Sequence, residues 1–216
     1  MKIRSINAMP LFIPYKKPYY WSQGVTTGAE VLLISIESEN GLIGYGESVS
    51  SPTAVGVKAF VDEAAKKLIG RSIFERQRLI STCYQNLFQF RGNCSAPRFG
   101  AQVFAGLEMA LWDLQGKVLD ISVCDLLGGS VRDSVGYFGF VQGSTPDELA
   151  SDALTFVERG HHIIYCKVGR GDSLDIEIVK SIRETIGSKV RLRLDPNEAW
   201  DTLTAIRMIK NLEKYN

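Results

Sequence analysis

The chain has 216 residues, of which 25 are Lys or Arg and 24 are Asp or Glu, so its formal net charge at pH 7 is +1. Hydrophobic residues make up 45% and charged residues 23%, values that argue against long-range disorder and collagen-like repeats. The near-neutral charge excludes the basic surface typical of proteins that bind nucleic acid or anionic membranes. No apolar run approaches the roughly 18–20 residues of a membrane helix.

The cysteines and the first residues bear on the cellular compartment. No two cysteines have C-x-x-C spacing, and the adjacent His161 and His162 are too few to complete a zinc site. The first residues are not followed by the apolar segment of a secretory signal. We therefore expect a cytoplasmic protein with reduced thiols. The cysteines are Cys83, Cys94, Cys124 and Cys166.

The first quarter of the chain predicts β-strands. Residues 2–13 and 30–38 are rich in β-prone side chains. Asn40-Gly41 is typical of a tight hairpin, and residues 42–47 are predicted to return as the partner strand. The aromatic-rich segment 15–28 is predicted to be a loop. Three antiparallel strands are therefore expected.

Helices are predicted next, over residues 53–69, 74–90 and 100–119. The last of them has the clearest recurrence of apolar residues at helical spacing. Strands followed by helices are typical of an α+β unit. We therefore expect an α+β domain over residues 1–125.

The second half of the chain changes to an alternation of strands and helices. Short connections between them predict parallel strands with right-handed crossovers. A complete (β/α)8 barrel needs ~250 residues, so residues 126–216 are expected to be an incomplete barrel domain. The predicted strands are 135–141, 163–168 and 190–194, and the predicted helices are 145–159, 173–186 and 199–214.

Polar side chains end two of these strands. Tyr165 and Lys167 share one face of their strand, Asp195 ends the next strand, and Asn197 follows. In parallel α/β folds catalytic residues lie at such strand ends, so Lys167 and Asp195 are expected side by side. The carboxylate could bind Mg²⁺, and an amine beside a cation has a lowered pKa and can act as a base. The alternative is a solvated lysine and a turn-capping aspartate.

Three segments together resemble the enolase superfamily, in the mandelate racemase / muconate lactonizing enzyme type. They occur in the family's order and spacing, and the resemblance covers essentially all 216 residues. It implies an α+β N-terminal capping domain followed by the first three βα units of an incomplete (β/α)7β barrel. The segments are AGLEMALWDLQGK at 105–117 with LLGG at 126–129, KVG at 167–169, and DPNEAW at 195–200.

The resemblance also implies a chemistry. It implies Mg²⁺ as cofactor, a small-molecule carboxylate as substrate, abstraction of the proton α to that carboxylate, and a homo-oligomer. Lys167 matches the second lysine of the family's K-x-K motif, which is the usual base. Asp195 matches the first of three metal-binding carboxylates, and Asn197 matches a polar residue beside that ligand.

Two loops of the capping domain carry specificity in this family. Segment 15–28, with Tyr19, Tyr20 and Trp21, matches the mobile loop that closes over the substrate. Ser48 matches a second specificity loop. For the aromatic residues, packing at a domain or subunit interface is the alternative.

One departure from the family changes the expectation. Tyr165 stands where the first lysine of K-x-K would lie, and we expect it to act as a hydrogen-bond donor in catalysis. The departure argues against muconate cycloisomerase and dipeptide epimerase activities and favours an acid-sugar dehydratase. The remaining metal ligands and the opposite base lie outside this sequence, so the chain alone is expected to be inactive. The alternative function is a truncated, non-catalytic module for dimerisation or other interactions.

Overall fold

The computed structural model describes residues 1–89 and 97–215, and it divides the chain into two compact units. The first unit contains Met1–Ile13 and Glu30–Asp133, and the second contains Pro14–Ala29 and Ser134–Asn216. The predicted division lay at residue 125. Here the first unit continues to Asp133, and a segment from the first quarter of the chain groups with the second unit.

The first sheet has the strand order β1-β2-β3. Strand β1 is Ile3–Trp21, β2 is Gly24–Ser38 and β3 is Ile43–Ser48. Strands β2 and β3 pair antiparallel. Gly41 has a φ of +84° in the turn between them, as expected for a glycine that permits left-handed backbone. The predicted hairpin is confirmed.

The loop predicted at residues 15–28 is wrong, because β1 and β2 continue through it and turn at residues 22–23. We call Pro14–Ala29 the hairpin tip. The hairpin tip contains Pro14 and Pro18. They lie in β1, which is at an edge of its sheet, where a residue without an N–H is tolerated.

The helices of the first unit follow the predicted order. Thr53 caps the first helix by accepting a hydrogen bond from Gly56 N. The single helix predicted at 74–90 is instead a 3₁₀ turn, an α-helix and a π turn, because the cap at Ser72 begins a 3₁₀ turn; Phe90 lies outside the described residues. The bounds are α1 Ala54–Leu68, the 3₁₀ turn Ile73–Glu75, α2 Arg76–Tyr84, the π turn Gln85–Gln89, α3 Pro97–Leu119 and α4 Val123–Leu126.

Glycines allow β3 to pack against α3 at backbone distance. A Cβ atom at Gly46 would lie 2.0 Å from the carbonyl oxygen of Gly106, and one at Gly44 would lie 2.1 Å from that of Ala110. Neither position has room for a side chain. The Gly44-Tyr45-Gly46 segment therefore serves helix packing.

The segment 105–117 makes structural contacts within the first unit. Glu108 pairs with Arg76, and the carboxylate of Asp113 accepts a hydrogen bond from Tyr45 N at 2.8 Å. Gln115, which is buried, donates its Nε2 to Ile73 O at 2.5 Å. These contacts join α3 to β3 and to the 3₁₀ turn.

The second unit has a parallel sheet of order β4-β5-β6. The first of these strands is shorter than predicted, since two residues pair rather than seven. The last helix begins at Thr202 rather than 199, because Asp201 caps it. The bounds are β4 Gly139–Phe140, α5 Pro146–Glu158, β5 Ile163–Lys167, α6 Asp172–Ile186, β6 Arg191–Asp195, α7 Thr202–Leu212 and the 3₁₀ turn Glu213–Tyr215.

Alternation along β5 separates the core from the opposite face of the sheet. Ile164 and Cys166 are fully buried among apolar residues of α5 and α6. Tyr165 and Lys167 therefore point to the other face. No helix in the described ranges is long and apolar enough to cross a bilayer.

Replacing Gly46 by alanine should destabilise the first unit by about 3 kcal/mol, because the new methyl group has no space against Gly106. Gly136→Ala is the matched control, since a Cβ there meets nothing within 4 Å. Urea unfolding followed by circular dichroism measures both changes. Equal stability of the two variants would contradict this packing.

The buried thiols should report on each unit separately. Burial raises the pKa of Cys83 to about 11 and that of Cys166 to about 12, so few thiolates form at pH 8. We expect iodoacetamide to modify the exposed Cys124 first, and the other two only as their units unfold in urea. Peptide mass spectrometry resolves each site, including Cys94, which lies outside the described residues. Native Cys166 reacting as fast as Cys124 would refute the prediction.

Candidate functional site

The register of the parallel sheet brings two predicted site residues together. Lys167 pairs with Asp195 across β5 and β6, and Tyr165 pairs with Arg193. Lys167 and Asp195 are the last residues of their strands. The side chains therefore meet at the carboxyl end of the sheet, as the sequence predicted.

Four side chains form what we call the polar cluster: Tyr165, Lys167, Asp195 and Asn197. The ammonium of Lys167 donates to Asp195 Oδ2 at 2.6 Å and to Asn197 Oδ1 at 2.5 Å. The hydroxyl of Tyr165 donates to the same Asp195 oxygen. The other oxygen, Oδ1, accepts from Asn197 N at 2.8 Å.

The turn after β6 has unusual backbone geometry. Asn197 has a φ of +51° and Glu198 one of +64°, values uncommon outside glycine. The turn is closed by a hydrogen bond from Ala199 N to Pro196 O at 3.0 Å. Such conformations persist where the surroundings hold them, and here Asp195 Oδ1 holds the Asn197 N–H.

The loop after β5 meets this turn through a glycine. Gly169 has a φ of +88°, and a Cβ there would lie 2.7 Å from Ala199 Cβ, 2.9 Å from Pro196 O and 3.0 Å from Ser22 Cβ. Both the backbone conformation and the space require glycine. The KVG and DPNEAW segments are therefore in contact with each other and with the hairpin tip.

The polar cluster is ionised at neutral pH. The hydrogen bond from Lys167, with that from Tyr165, lowers the pKa of Asp195 to about 2. Desolvation is the largest single influence on the pKa of Lys167 and lowers it, but Asp195 together with the neighbouring tyrosines outweighs it, so this pKa lies above its ordinary value. The lowered pKa predicted for Lys167 depends on a cation beside the amine, and it stays a prediction.

The three aromatic residues predicted in the hairpin tip have different surroundings. Burial raises the pKa of Tyr19, and the positive charge of the nearby Lys167 opposes this rise. Trp21 lies 6.1 Å from Tyr19, centroid to centroid. Tyr20 lies under the guanidinium of Arg170 at 5.7 Å. Of these three side chains, Tyr19 is the one whose pKa responds to Lys167 and Asp195.

Ser48 lies in the first unit and is buried, with 2% of its surface exposed. Its hydroxyl donates to Val103 O at 2.5 Å, so the residue joins β3 to α3. This bond gives Ser48 a structural role, and the substrate contact proposed for it stays a prediction.

Two aromatic residues beside the cluster were missed by the sequence analysis. Phe138 stacks on Tyr165 with the centroids 4.7 Å apart, and Phe140 meets the same ring edge-on at 5.0 Å. The sequence does show that Phe138 and Phe140 are two residues apart, so both side chains lie on one face of their strand. That face is the face of Tyr165, because Phe140 pairs with Tyr165. A single sequence does not show the register of the pairing.

A buried carboxylate behind the loop after β5 was also missed. Asp175 is fully buried and accepts hydrogen bonds from Gly169 N at 2.8 Å and Arg170 N at 3.1 Å. The guanidinium of Arg170 in turn donates to the carbonyl oxygens of Gly143 and Ser144. Asp175 thereby fixes the loop that follows Lys167 and links it to the loop after β4.

The polar cluster by itself does not satisfy a divalent cation. Mg²⁺ requires an octahedral set of oxygen ligands, and the cluster offers one carboxylate, Asp195, and the amide oxygen of Asn197. Across residues 1–89 and 97–215, no group of three or more His, Cys, Asp or Glu side chains could hold a metal. These residues alone therefore do not fit a complete Mg²⁺ site.

Curated relatives match almost the entire chain. A hydrophobic dipeptide epimerase from Enterococcus faecalis is 28% identical over 221 residues, which cover 100% of this chain and 59% of the relative. A chloromuconate cycloisomerase from Cupriavidus pinatubonensis is 31% identical over 223 residues, which cover 99% of this chain and 57% of the relative. An N-succinyl-L-Arg/Lys racemase from Bacillus cereus is 24% identical over 217 residues, which cover 98% of this chain and 58% of the relative. The chain thus spans less than two thirds of the length of these relatives.

Solved structures agree in fold. A dipeptide epimerase from Cytophaga hutchinsonii, complexed with Mg and the dipeptide D-Ala-L-Val, superposes with a TM-score of 0.86 at 26% identity. The match covers 100% of this chain and 57% of the epimerase chain. A muconate lactonizing enzyme from Pseudomonas fluorescens, complexed with muconolactone, has a TM-score of 0.87 at 26% identity, and the match covers 99% of this chain and 58% of that enzyme.

Two family models cover most of the chain. The model of the mandelate racemase / muconate lactonizing enzyme N-terminal domain matches residues 6–128, and that of the enolase C-terminal domain-like family matches residues 148–216. The chain therefore belongs to the mandelate racemase / muconate lactonizing enzyme family of the enolase superfamily, of which it represents an N-terminal portion.

Proposed function

We propose that the polar cluster belongs to the active site of a Mg²⁺-dependent enzyme that removes the proton α to the carboxylate of a small-molecule substrate. The observation that carries the proposal is the Lys167–Asp195 ion pair at the ends of two adjacent parallel strands. Similar proteins are epimerases, racemases and cycloisomerases, and one similar dipeptide epimerase was crystallised with Mg.

Each residue of the cluster has a proposed role. Lys167 would accept the α-proton as the neutral amine, the form that a cation bound at Asp195 would favour. Tyr165 donates a hydrogen bond toward the developing negative charge. Asp195 is the metal ligand that this chain would contribute, with Asn197 beside it, and Mg²⁺ would supply positive charge near the substrate carboxylate.

Isomerisation is the reaction type that we place first. Tyr165 in place of a lysine had favoured an acid-sugar dehydratase, but the relatives described above are isomerising enzymes. The proton-removal step is shared by both reaction types, so the roles proposed for Lys167 and Tyr165 hold for either.

We further propose that residues 1–216 alone do not catalyse the reaction. The described residues place a single carboxylate in the polar cluster, and no metal-binding group of three is present among them. A cation held by so few protein oxygens binds weakly. The activity would then need barrel strands beyond those in this chain.

A non-catalytic interaction module is the second candidate. In the first unit, apolar side chains of β1 and α1 are exposed, among them Met9 at 56%, Phe12 at 60% and Val55 at 70%. Exposed apolar surface is typical of interfaces. A homo-oligomer formed through the first unit is compatible with either candidate function.

The proton-transfer role of Lys167 can be tested by deuterium incorporation at the α-carbon of a panel of carboxylates in D₂O, followed by NMR. The protein is purified as its source cell makes it and assayed with Mg²⁺ or with EDTA. We expect Mg²⁺-dependent exchange that falls by about 10²–10⁴-fold in Lys167→Met. Lys189→Met, at an exposed lysine, is the matched control and should exchange normally.

Three results would count against these proposals. Exchange that survives Lys167→Met would remove the proposed role of the lysine. Mg²⁺-dependent exchange by the purified 216-residue chain would overturn its proposed inactivity. No exchange with any carboxylate would favour the interaction module.

A further inference from the structure

Arg170, in the loop after β5, contacts two other elements of the second unit through its side chain. The guanidinium donates to Gly143 O at 3.3 Å and to Ser144 O at 2.5 Å, both in the loop after β4. The same group lies 5.7 Å from the centroid of the Tyr20 ring in the hairpin tip, within the range of a cation–π interaction. Arg170 therefore joins the loops after β4 and β5 to the hairpin tip.

The backbone of Arg170 is held in place by α6. Asp175, which is fully buried in that helix, accepts hydrogen bonds from Arg170 N at 3.1 Å and from Gly169 N at 2.8 Å. Its own N–H donates to Gly171 O at 2.8 Å. A buried carboxylate that lost its donors would raise the free energy of the folded state. The side chain of Arg170 therefore starts from a fixed point.

The loop after β4 is fixed to α5. The N–H and the hydroxyl of Ser144 both donate to Glu148 Oε2 at 2.7 Å. A Cβ atom at Gly143 would lie 2.8 Å from Glu148 Cβ, so the loop packs against the helix with no room for a side chain. The two carbonyl oxygens that Arg170 binds therefore have fixed positions.

Tyr20 is held both at its backbone and at its ring. Its N–H donates to Gln142 Oε1 at 3.3 Å, and its ring faces the guanidinium described above. Side chains alternate along β1, so Tyr19 points to the opposite face of the strand. There its ring lies 5.6 Å from that of Phe140, which contacts Tyr165 of the polar cluster. Contacts at Tyr20 therefore also set the position of Tyr19 beside the cluster.

An arginine suits this set of contacts better than any other cation. Its guanidinium is planar, so two N–H groups can bind neighbouring carbonyl oxygens while the face lies against a ring. A lysine keeps the charge but cannot make all three contacts. The ion pair of Lys17 with Asp152, at 3.9 Å, also reaches the hairpin tip, but the lysine side chain is 75% exposed and such a pair contributes little.

We infer that Arg170 is a positioning residue, which holds the hairpin tip beside the polar cluster by attaching Tyr20 to the loops after β4 and β5. Its effect on catalysis rests on the proposed function. Loss of Arg170 should weaken the binding of the carboxylate substrate more than the transfer of its proton, because Lys167 and Asp195 keep their own contact.

Hydrogen exchange followed by mass spectrometry tests the attachment without any substrate, on the protein purified as its source cell makes it. In Arg170→Gln we expect the amides of residues 14–29 to exchange about five-fold faster, because the ring contact and two loop hydrogen bonds are lost. Arg170→Lys should give a smaller increase, of about two-fold. Arg159→Gln, at an exposed arginine of the same unit, is the matched control and should exchange normally.

A second variant distinguishes attachment of the hairpin tip from a local role of Arg170. Tyr20→Leu removes the ring and leaves both carbonyl contacts, so exchange should rise at residues 14–29 and not at 141–145. Faster exchange confined to 141–145 in Arg170→Gln, or no change at 14–29 in either variant, would overturn the inference. Unfolding midpoints in urea identify a variant that fails to fold; if Arg170→Gln does so, Arg170→Lys and Tyr20→Leu still decide the test.

The effect on catalysis is measured with the same protein by deuterium incorporation at the α-carbon over a range of substrate concentrations. Arg170→Gln should raise KM about ten-fold and change kcat by less than about two-fold, the pattern of binding lost equally from ground and transition states. Arg170→Lys should recover part of the loss. A fall in kcat with unchanged KM would overturn the inferred effect on binding.

Failure of the proposed function would look different. No deuterium incorporation by the unaltered protein would overturn that function and, with it, the effect of Arg170 on substrate binding. The hydrogen-exchange result would still decide whether Arg170 positions the hairpin tip, because it needs neither substrate nor turnover.

Discussion

The pairing register of β5 with β6 is the constraint on which the rest of the second unit depends. Side chains alternate along β5, so the register that places Lys167 beside Asp195 also places Ile164 and Cys166 in the core against α5 and α6. A slip of one residue would exchange the two faces and bury the lysine. The free energy of burying the apolar face therefore also fixes the geometry of the ion pair.

Contacts between loops explain why the KVG and DPNEAW segments are found in the same chain. Gly169 has no room for a side chain because the turn at Pro196 and Ala199 and the residue Ser22 crowd it. Asp175 holds the same loop from beneath with two backbone hydrogen bonds. Gly169 and the tight turn after Asp195 therefore depend on each other, because they pack together. The same packing places the hairpin tip beside the polar cluster.

Features determined by neighbouring residues could be predicted from the sequence, whereas features determined by pairing could not. The Asn40-Gly41 turn depends on local backbone freedom, and the helix that begins after Thr145 depends on the cap that this residue provides. Both could therefore be predicted from the sequence. The hairpin tip was taken for a loop because strand pairing overrides the two prolines in an edge strand. Lys167 and Asp195 were predicted because each ends a strand. Phe138 and Phe140 were not, because only the pairing register of the strands places them beside Tyr165. The raised pKa of Lys167 likewise depends on which charge faces it.

Tyr165 connects the electrostatics of the site to its apolar surface. A lysine at this position would add a second ammonium beside Asp195, whereas the tyrosine donates a neutral hydrogen bond to the same oxygen and leaves Lys167 as the cation paired with it. The ring at the same time packs between Phe138 and Phe140, where a lysine chain would leave their faces uncovered. One side chain therefore both reduces the positive charge of the polar cluster and joins the cluster to the rings of Phe138 and Phe140.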